Sequence, residues 1–278
     1  MKRLAALGVV VACTYHNPKP QYAQPGPPQQ PLGQQQPPQP AVASQPAPPA
    51  PVQPAPPPEP AKPPEEPGPI DPNAEMPKDS ITTNTKLVLG TEATIKLDAR
   101  SDIYSATAKK ADPGRGGVLP SEVTLAKEGG IISFPKVIGR AACVADAGAT
   151  ADGGDCAGGS TDLTSAGKLS GIKHGQRTMF LVGVFVGAKL PAKAPAVLDF
   201  SDDKLGTKFP KLEPVLGQVF WIGDGKPGEP AGDTHDFVIP KGATRLYLGY
   251  ADGYGFQGTP GAYGDNKGGL AVTILQRK

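Results

Sequence analysis

Met179-Phe180-Leu181-Val182-Gly183-Val184-Phe185-Val186 is a nearly continuous apolar run, rich in β-branched and aromatic residues. It reads as a central strand covered on both faces, although periodicity alone allows a buried helix as well. Working outward, similar short runs recur between clusters of Gly, Pro, Asn and Asp. Thr85–Leu89 and Ala93–Leu97 alternate apolar and polar residues, and Ile131–Val137, Val215–Ile222, Thr244–Tyr250 and Leu270–Leu275 follow. No stretch carries a convincing helical repeat over three to four turns. The spacing predicts an all-β domain, a β-sandwich or jelly roll, over residues 79–278. Phe220 and Trp221, like the aromatics of the 179–186 run, read as core.

The chain before Lys78 has a different character. Most of the 35 Pro residues fall there, mixed with Gln and Ala, as in Pro51-Val52-Gln53-Pro54-Ala55-Pro56. Such a stretch cannot bury a core and reads as a disordered linker biased to polyproline II. About sixty residues of this kind reach on the order of 150–200 Å at full extension. At the very start, Lys2 and Arg3 precede an uncharged run, Leu4–Ala12. This is the pattern of a signal peptide, residues 1–12, and the run is far too short for a membrane-spanning helix. Val10-Val11-Ala12-Cys13 resembles the lipobox of bacterial lipoproteins. The resemblance implies that Cys13 is acylated and begins the mature chain, with residues 13–78 as lipidated Cys and linker. Thr14, not Asp, follows Cys13, which by the sorting rule of such lipoproteins implies the outer membrane or cell surface. An ordinary signal peptide cut nearby is the alternative.

Three Cys occur, and lipid on Cys13 leaves Cys143 and Cys156. An oxidising compartment and an even remainder suggest a disulfide between them. Two free thiols or a metal pair are the alternatives, but no Cys or His stands nearby at zinc spacing.

The segment with the most chemistry lies near the end. A strand-like run ends at Asp252, a loop rich in Gly and aromatics follows, and Asp265 and Asn266 stand side by side just before the last strand. Two carboxylates and an amide oxygen are thereby brought to one end of a sheet, with flexible carbonyls between them. Hard oxygen donors of this kind suit Ca2+, which takes six to eight of them. Turn geometry explains Asp and Asn here equally well.

Asp252 followed by Pro260-Gly261-Ala262-Tyr263-Gly264-Asp265-Asn266 resembles the calcium and sugar loop of the bacterial galactophilic lectins of the PA-IL type. The likeness covers about 25 residues. It implies a galactose-binding-domain-like sandwich and a Ca2+ held by Asp252, the Ala262 carbonyl, Asp265 and Asn266. It also implies a sugar, of galactose type, that completes the shell through two hydroxyls. Asp252, Tyr254, Tyr263 and Asp265 are the candidate sugar contacts, with the tyrosines able to stack on a pyranose face. Phe256 reads as a plug that fixes the loop. The chain departs from the family in a much longer Gly253–Thr259 segment and in Asp265, which stands where the family has an amide. The family's further backbone ligand has no counterpart in the sequence pattern. Its His and Gln sugar contacts do not transfer either, and His174 and His235 read as solvated turn histidines.

Lys and Arg number 28 against 26 Asp and Glu, so there is no basic footprint for nucleic acid. No nucleophile elbow, zincin helix or phosphate loop occurs, and no carboxylate pair is singled out for glycoside hydrolysis. Three functions fit: a surface-anchored, calcium-dependent carbohydrate-binding lipoprotein, a structural or interaction lipoprotein with a purely structural calcium loop, or an accessory domain of an exported hydrolase. The expected partners are a glycan or small saccharide and, through the lipid, a membrane. Metabolic palmitate labelling checks the anchor: the label is expected on the wild-type chain and absent from Cys13→Ser, and equal labelling of both would refute acylation at Cys13.

Overall fold

The computed structural model describes residues 85–143, 148–228 and 233–278. The signal segment, Cys13 and the Pro-rich stretch lie outside the described residues. Within them no α-helix occurs, only short 3-10 turns between strands, and no helix is long and apolar enough to cross a membrane. The first strands are β1 (Thr85–Lys86), β2 (Glu92–Asp98), β3 (Ser121–Thr124), β4 (Ile131–Ala142), β5 (Gly148–Ala149), β6 (Thr161–Leu163) and β7 (Ile172–His174). Then come β8 (Leu181–Gly187), β9 (Leu198–Asp199), β10 (Lys211–Leu212), β11 (Val219–Trp221), β12 (Asp236–Val238), β13 (Ala243–Tyr250), β14 (Gln257–Gly258) and β15 (Lys267–Arg277). The domain is all-β.

Three sheets form. One has the order β1-β3-β13-β8-β11; a second runs β10-β12-β4-β15-β2, with β5 added on β4; a small third runs β14-β6-β7-β9. The apolar run that decides the fold is β8, buried along its whole length and flanked by β13 and β11. Met179 is not part of it: its φ of 54° turns the chain just before the strand begins. Gly183 sits where a Cβ would lie 2.8 Å from the Phe220 ring, so the missing side chain lets that ring cross the strand.

The two larger sheets share one apolar core. In β2, Ile95 and Leu97 are buried while Thr94 and Lys96 are exposed, the period of two that one covered face demands. Val272 and Ile274 of β15 point the same way. The sheets interlock through rings. Phe220 of β11 lies 5.1 Å from Phe237 of β12, which meets Phe134 of β4 edge-on at 5.5 Å, and Phe185 stacks on Phe220 at 5.3 Å. Each such fully buried side chain contributes about 1.5–3 kcal/mol. Phe220 and Trp221 are core, as their sequence suggested.

Strand β4 runs five residues beyond the expected Val137. Pro135 lies within it, opposite a register shift between Thr273 and Leu275 of β15, so the residue without an N–H falls at a bulge instead of in the ladder. Beyond the bulge Ile138 and Arg140 face solvent, which is why the apolar pattern stops before the strand does.

Cys143, just past β4, is bonded to Cys156, with the Cα atoms 6.4 Å apart. Thr178 Oγ1 donates to the Cys156 carbonyl at 3.1 Å and ties the stapled turn to the start of β8. The crosslink closes a short loop rich in Ala, Gly and Asp that has little side chain to pack. Replacing both residues (Cys143→Ser with Cys156→Ser) is expected to lower the unfolding free energy by about 3 kcal/mol in a denaturant titration. A loss below about 1 kcal/mol would show that the staple does not hold the domain together.

Candidate functional site

β13 is the central strand of its sheet and β15 lies between β4 and β2 in the other, so the segment 251–266 crosses from sheet to sheet. Asp252 stands just past the end of β13 and Asn266 just before β15. The crossing brings them into contact: Asn266 Nδ2 donates to Asp252 Oδ2 at 2.7 Å and to the Ala99 carbonyl at 3.2 Å. Asp252 Oδ1 accepts the Gly253 N–H at 2.7 Å. Both residues are buried, 2% and 4% exposed.

Tyr263 fixes the crossing. It is fully buried, donates its hydroxyl to the Tyr250 carbonyl at 2.9 Å and accepts the Asp252 N–H at 3.2 Å. Ala262 before it has a φ of 64°, the left-handed region that a residue with a Cβ seldom enters, and this turns the chain into the 3-10 turn Tyr263–Asp265. Ala262 and Asp265 are both exposed, at the rim of the buried pair. Tyr263 is therefore not a sugar contact as its sequence position suggested: its ring is a structural bolt with no accessible face. Tyr254 is 90% exposed and remains accessible, and Phe256, 3% exposed, is the plug expected of it.

A second carboxylate lies beneath the site and was not picked out in the sequence. Asp102 is fully buried, caps the turn Ile103–Ser105 through the Tyr104 N–H at 2.9 Å and the Ser105 hydroxyl at 2.6 Å, and pairs with Arg115 at 2.9 Å. The legible signal was Asp at a helix-cap position with Ser three residues on. The Arg115 loop packs directly on the site. A Cβ on Gly116 would stand 3.0 Å from the Gly264 backbone, and one on Gly117 would strike Asp102 Cβ at 2.9 Å.

Burial is the main force that raises the Asp252 carboxyl, to about 7. The bonds from Asn266 and Gly253 pull it down, and the charges of Asp265 and Asp102 push it up. Asp252 is thus a carboxyl held among neutral donors and near two other carboxylates, a setting that disfavours its charged form. Asn266 Oδ1 is buried with no hydrogen-bond partner. The two ends of a carboxamide have the same shape, so a half-turn of the Asn266 amide puts Oδ1 where Nδ2 stands. Three oxygens then converge: Asp252 Oδ2, Asn266 Oδ1 and the Ala99 carbonyl. That arrangement repels itself unless a cation sits among them. The donor set is all oxygen, which fits Ca2+. Among the described residues no group of three or more His, Cys, Asp or Glu is drawn together for a metal, so carbonyls and the amide have to supply much of any shell.

His174 and His235 are not solvated turn histidines: both are fully buried. His235 stacks on Phe209 at 4.3 Å with Nδ1 at 2.5 Å from the Phe209 carbonyl, and His174 lies 5.5 Å from the Phe180 ring. Burial lowers both imidazoles, His174 to about 4. Neither is brought to the Asp252–Asn266 pair by any contact in the structure.

The chain matches no family model, no curated protein and no solved structure.

The raised Asp252 carboxyl has a consequence for the metal-free protein. Native Asp252 keeps its proton between about pH 4 and 7, where the unfolded chain has lost it. Its stabilisation is full below about pH 4 and fades as pH rises through 7. Buried His174 and His235 act in the opposite sense, so the informative quantity is the difference between wild type and Asp252→Asn. In chelator, the stability of the wild type relative to Asp252→Asn is expected to fall on the order of 3 kcal/mol from pH 4 to pH 8, by thermal or denaturant unfolding. Parallel pH profiles would mean that Asp252 ionises normally.

Proposed function

We propose that the domain is a calcium-dependent carbohydrate-binding module of galactose-binding-domain-like, jelly-roll form, a binding protein and not an enzyme. One observation carries the reading: a buried carboxylate, Asp252, is held against a buried amide whose oxygen has no partner, at the sheet end where Asp265 and the Ala262 carbonyl stand exposed. Asp252 and Asn266 would hold the ion from below, with the Ala99 carbonyl beside them, and Asp265 and the Ala262 carbonyl from the rim. When bound, the ion supplies open coordination positions for a pair of sugar hydroxyls. Asp265 adds a charge at the rim and an acceptor for a sugar hydroxyl. Tyr263 and the Arg115 loop exclude water from beneath and keep Asp252 oriented. The likeness of the loop to the galactophilic lectins supports a galactose-type sugar. The lipobox and Pro-rich stretch support an exported, lipid-anchored protein of the outer membrane or cell surface, its binding domain carried away from the membrane on a spacer.

The burial of Asp252 and Asn266 also favours a second reading, in which the cation only fixes the loop and the chain is a structural or interaction lipoprotein. The exposed rim supports the first reading, because it leaves ligands accessible to a bound sugar; the glycan response is what separates the two.

Calcium is expected to raise the melting temperature at neutral pH by mass action on the native state, and Asp265→Ala to remove most of that shift. Glycan-array binding is expected in calcium and lost in chelator. No heat of binding at millimolar Ca2+ would dispose of the metal site and the lectin reading together; calcium binding without any glycan response would leave the structural role.

A further inference from the structure

The Gly253–Thr259 segment is the longest departure of this loop from the lectin pattern, and its construction is specific. Gly253 and Pro260 form an antiparallel bridge that closes its neck. Inside, the Phe256 N–H donates to the Gly253 carbonyl at 2.8 Å and Phe256 is sunk into the core. β14 then pairs in parallel with β6. Gly258 accepts from Thr164 through the backbone at 2.7 Å and the hydroxyl at 3.1 Å, and Gln257 Nε2 donates to the Ser160 carbonyl at 3.2 Å. A Cβ on Gly253 would lie 2.7 Å from the Leu163 side chain, so the neck is pressed onto the same strand. The loop is therefore docked along its length on the segment that follows the Cys143–Cys156 staple.

Just inside the neck of this docked loop stands Tyr254. At 90% exposure it is the most exposed large apolar side chain among the described residues, ahead of Val88 at 63%. The fold gains nothing from it, since Phe256 supplies the anchor. Only Gly253 separates it from Asp252, so the two Cα atoms lie within about 7 Å of each other. Three residues on from it, the Gln257 carboxamide lies 3.4 Å from the Ser160 hydroxyl at the loop's contact with the segment leading into β6.

An aromatic carried in water on a docked loop has its backbone ordering cost met during folding, leaving only its own rotamers to be fixed by a ligand. The ring is flat and the polar site next door is the proposed sugar site. A pyranose has the matching chemistry, with one face of C–H groups for the ring and hydroxyls around its edge for that polar site. We propose that the Gly253–Thr259 loop carries a second sugar subsite with Tyr254 as its platform, so that the ligand is an oligosaccharide of at least two linked sugars. This rests on the carbohydrate-binding reading and adds to it the size of the ligand. The terminal sugar presents its diol at the Asp252–Asn266 end, and the next residue of the chain lies over Tyr254.

The test is calorimetry on the full chain in calcium, with methyl β-galactoside and a β-galactosyl disaccharide as probes. The disaccharide is expected to bind about three- to tenfold more tightly than the monosaccharide. Tyr254→Ala is expected to bring that ratio to about one, and Tyr254→Phe, which keeps the ring, to preserve it. Equal affinities in the wild type, or an unchanged ratio in Tyr254→Ala, would overturn the second subsite while leaving the carbohydrate-binding reading intact. Calcium binding with no response to either sugar would overturn both.

Discussion

The Asp252–Asn266 hydrogen bond joins the two larger sheets at one end. β13 is paired on both sides, by β3 and β8, and β15 likewise by β4 and β2. Neither strand can shift without breaking two ladders. The chain that links them passes through the core edge, and its backbone polar groups need partners there. Tyr263 meets that demand with one hydroxyl, donating to the Tyr250 carbonyl and accepting from the Asp252 N–H. The carboxylate is then left with an amide and one backbone N–H, enough to position it but not to neutralise it. A buried anion so held is costly, because desolvation is offset only by neutral donors.

The contrast with Asp102 sharpens the point. Both carboxylates are buried in the same region. Asp102 has Arg115, a hydroxyl and a backbone N–H, and is a satisfied structural cap. Asp252 has no cation partner. If Asp252 served only to join the sheets, an amide in its place would bond Asn266 without the desolvation cost. The carboxylate is the chemically expensive choice, and what it offers that an amide does not is charge for a cation. Asp265 fits the same logic: it adds negative charge at the rim, which penalises the loop on its own and would be offset by the proposed cation.

Much of this was legible in the sequence, for identifiable reasons. Strands with one covered face announce themselves by alternation, as β2 does, and the fully covered β8 by its unbroken apolar run. The pairing of Asp252 with Asn266 was readable because both sit at strand ends that a short crossing must bring together. The disulfide followed from the pair of cysteines that remains once Cys13 is set aside. Other parts were hidden. β12 and the strands of the small sheet have two or three residues each, too few for any period to show. β3 is short and half polar, and becomes a strand only because β13 lies beside it. His174 and His235 have polar sequence neighbours, Lys173 and Gly175 for one and Asp236 for the other, that suggest solvent. Their burial comes from Phe180 and Phe209, which approach from other parts of the chain. Tyr263 misled for a related reason: a tyrosine beside charged and small residues looks available, and only the close approach of the Arg115 loop and Tyr250 closes it off.

The arrangement also explains how the Gly253–Thr259 segment, an insertion by comparison with the loop it resembles, can sit beside a buried pair with so little room for error. The Gly253–Pro260 bridge restores at the neck the spacing that a shorter loop would have, so Asp252 and the turn Tyr263–Asp265 keep their relation whatever lies between. The insertion does not float; it docks on β6, and β6 is held by β7 and by the stapled turn ahead of it. Loop closure costs grow only slowly with length, so the penalty for the added residues is small beside what Phe256 and the β14–β6 pairing return. The geometry of the buried pair is therefore insulated from the sequence of the loop tip. A tip freed from that constraint can vary in length and in the side chains it presents, while Asp252 and Asn266 stay where β13 and β15 put them.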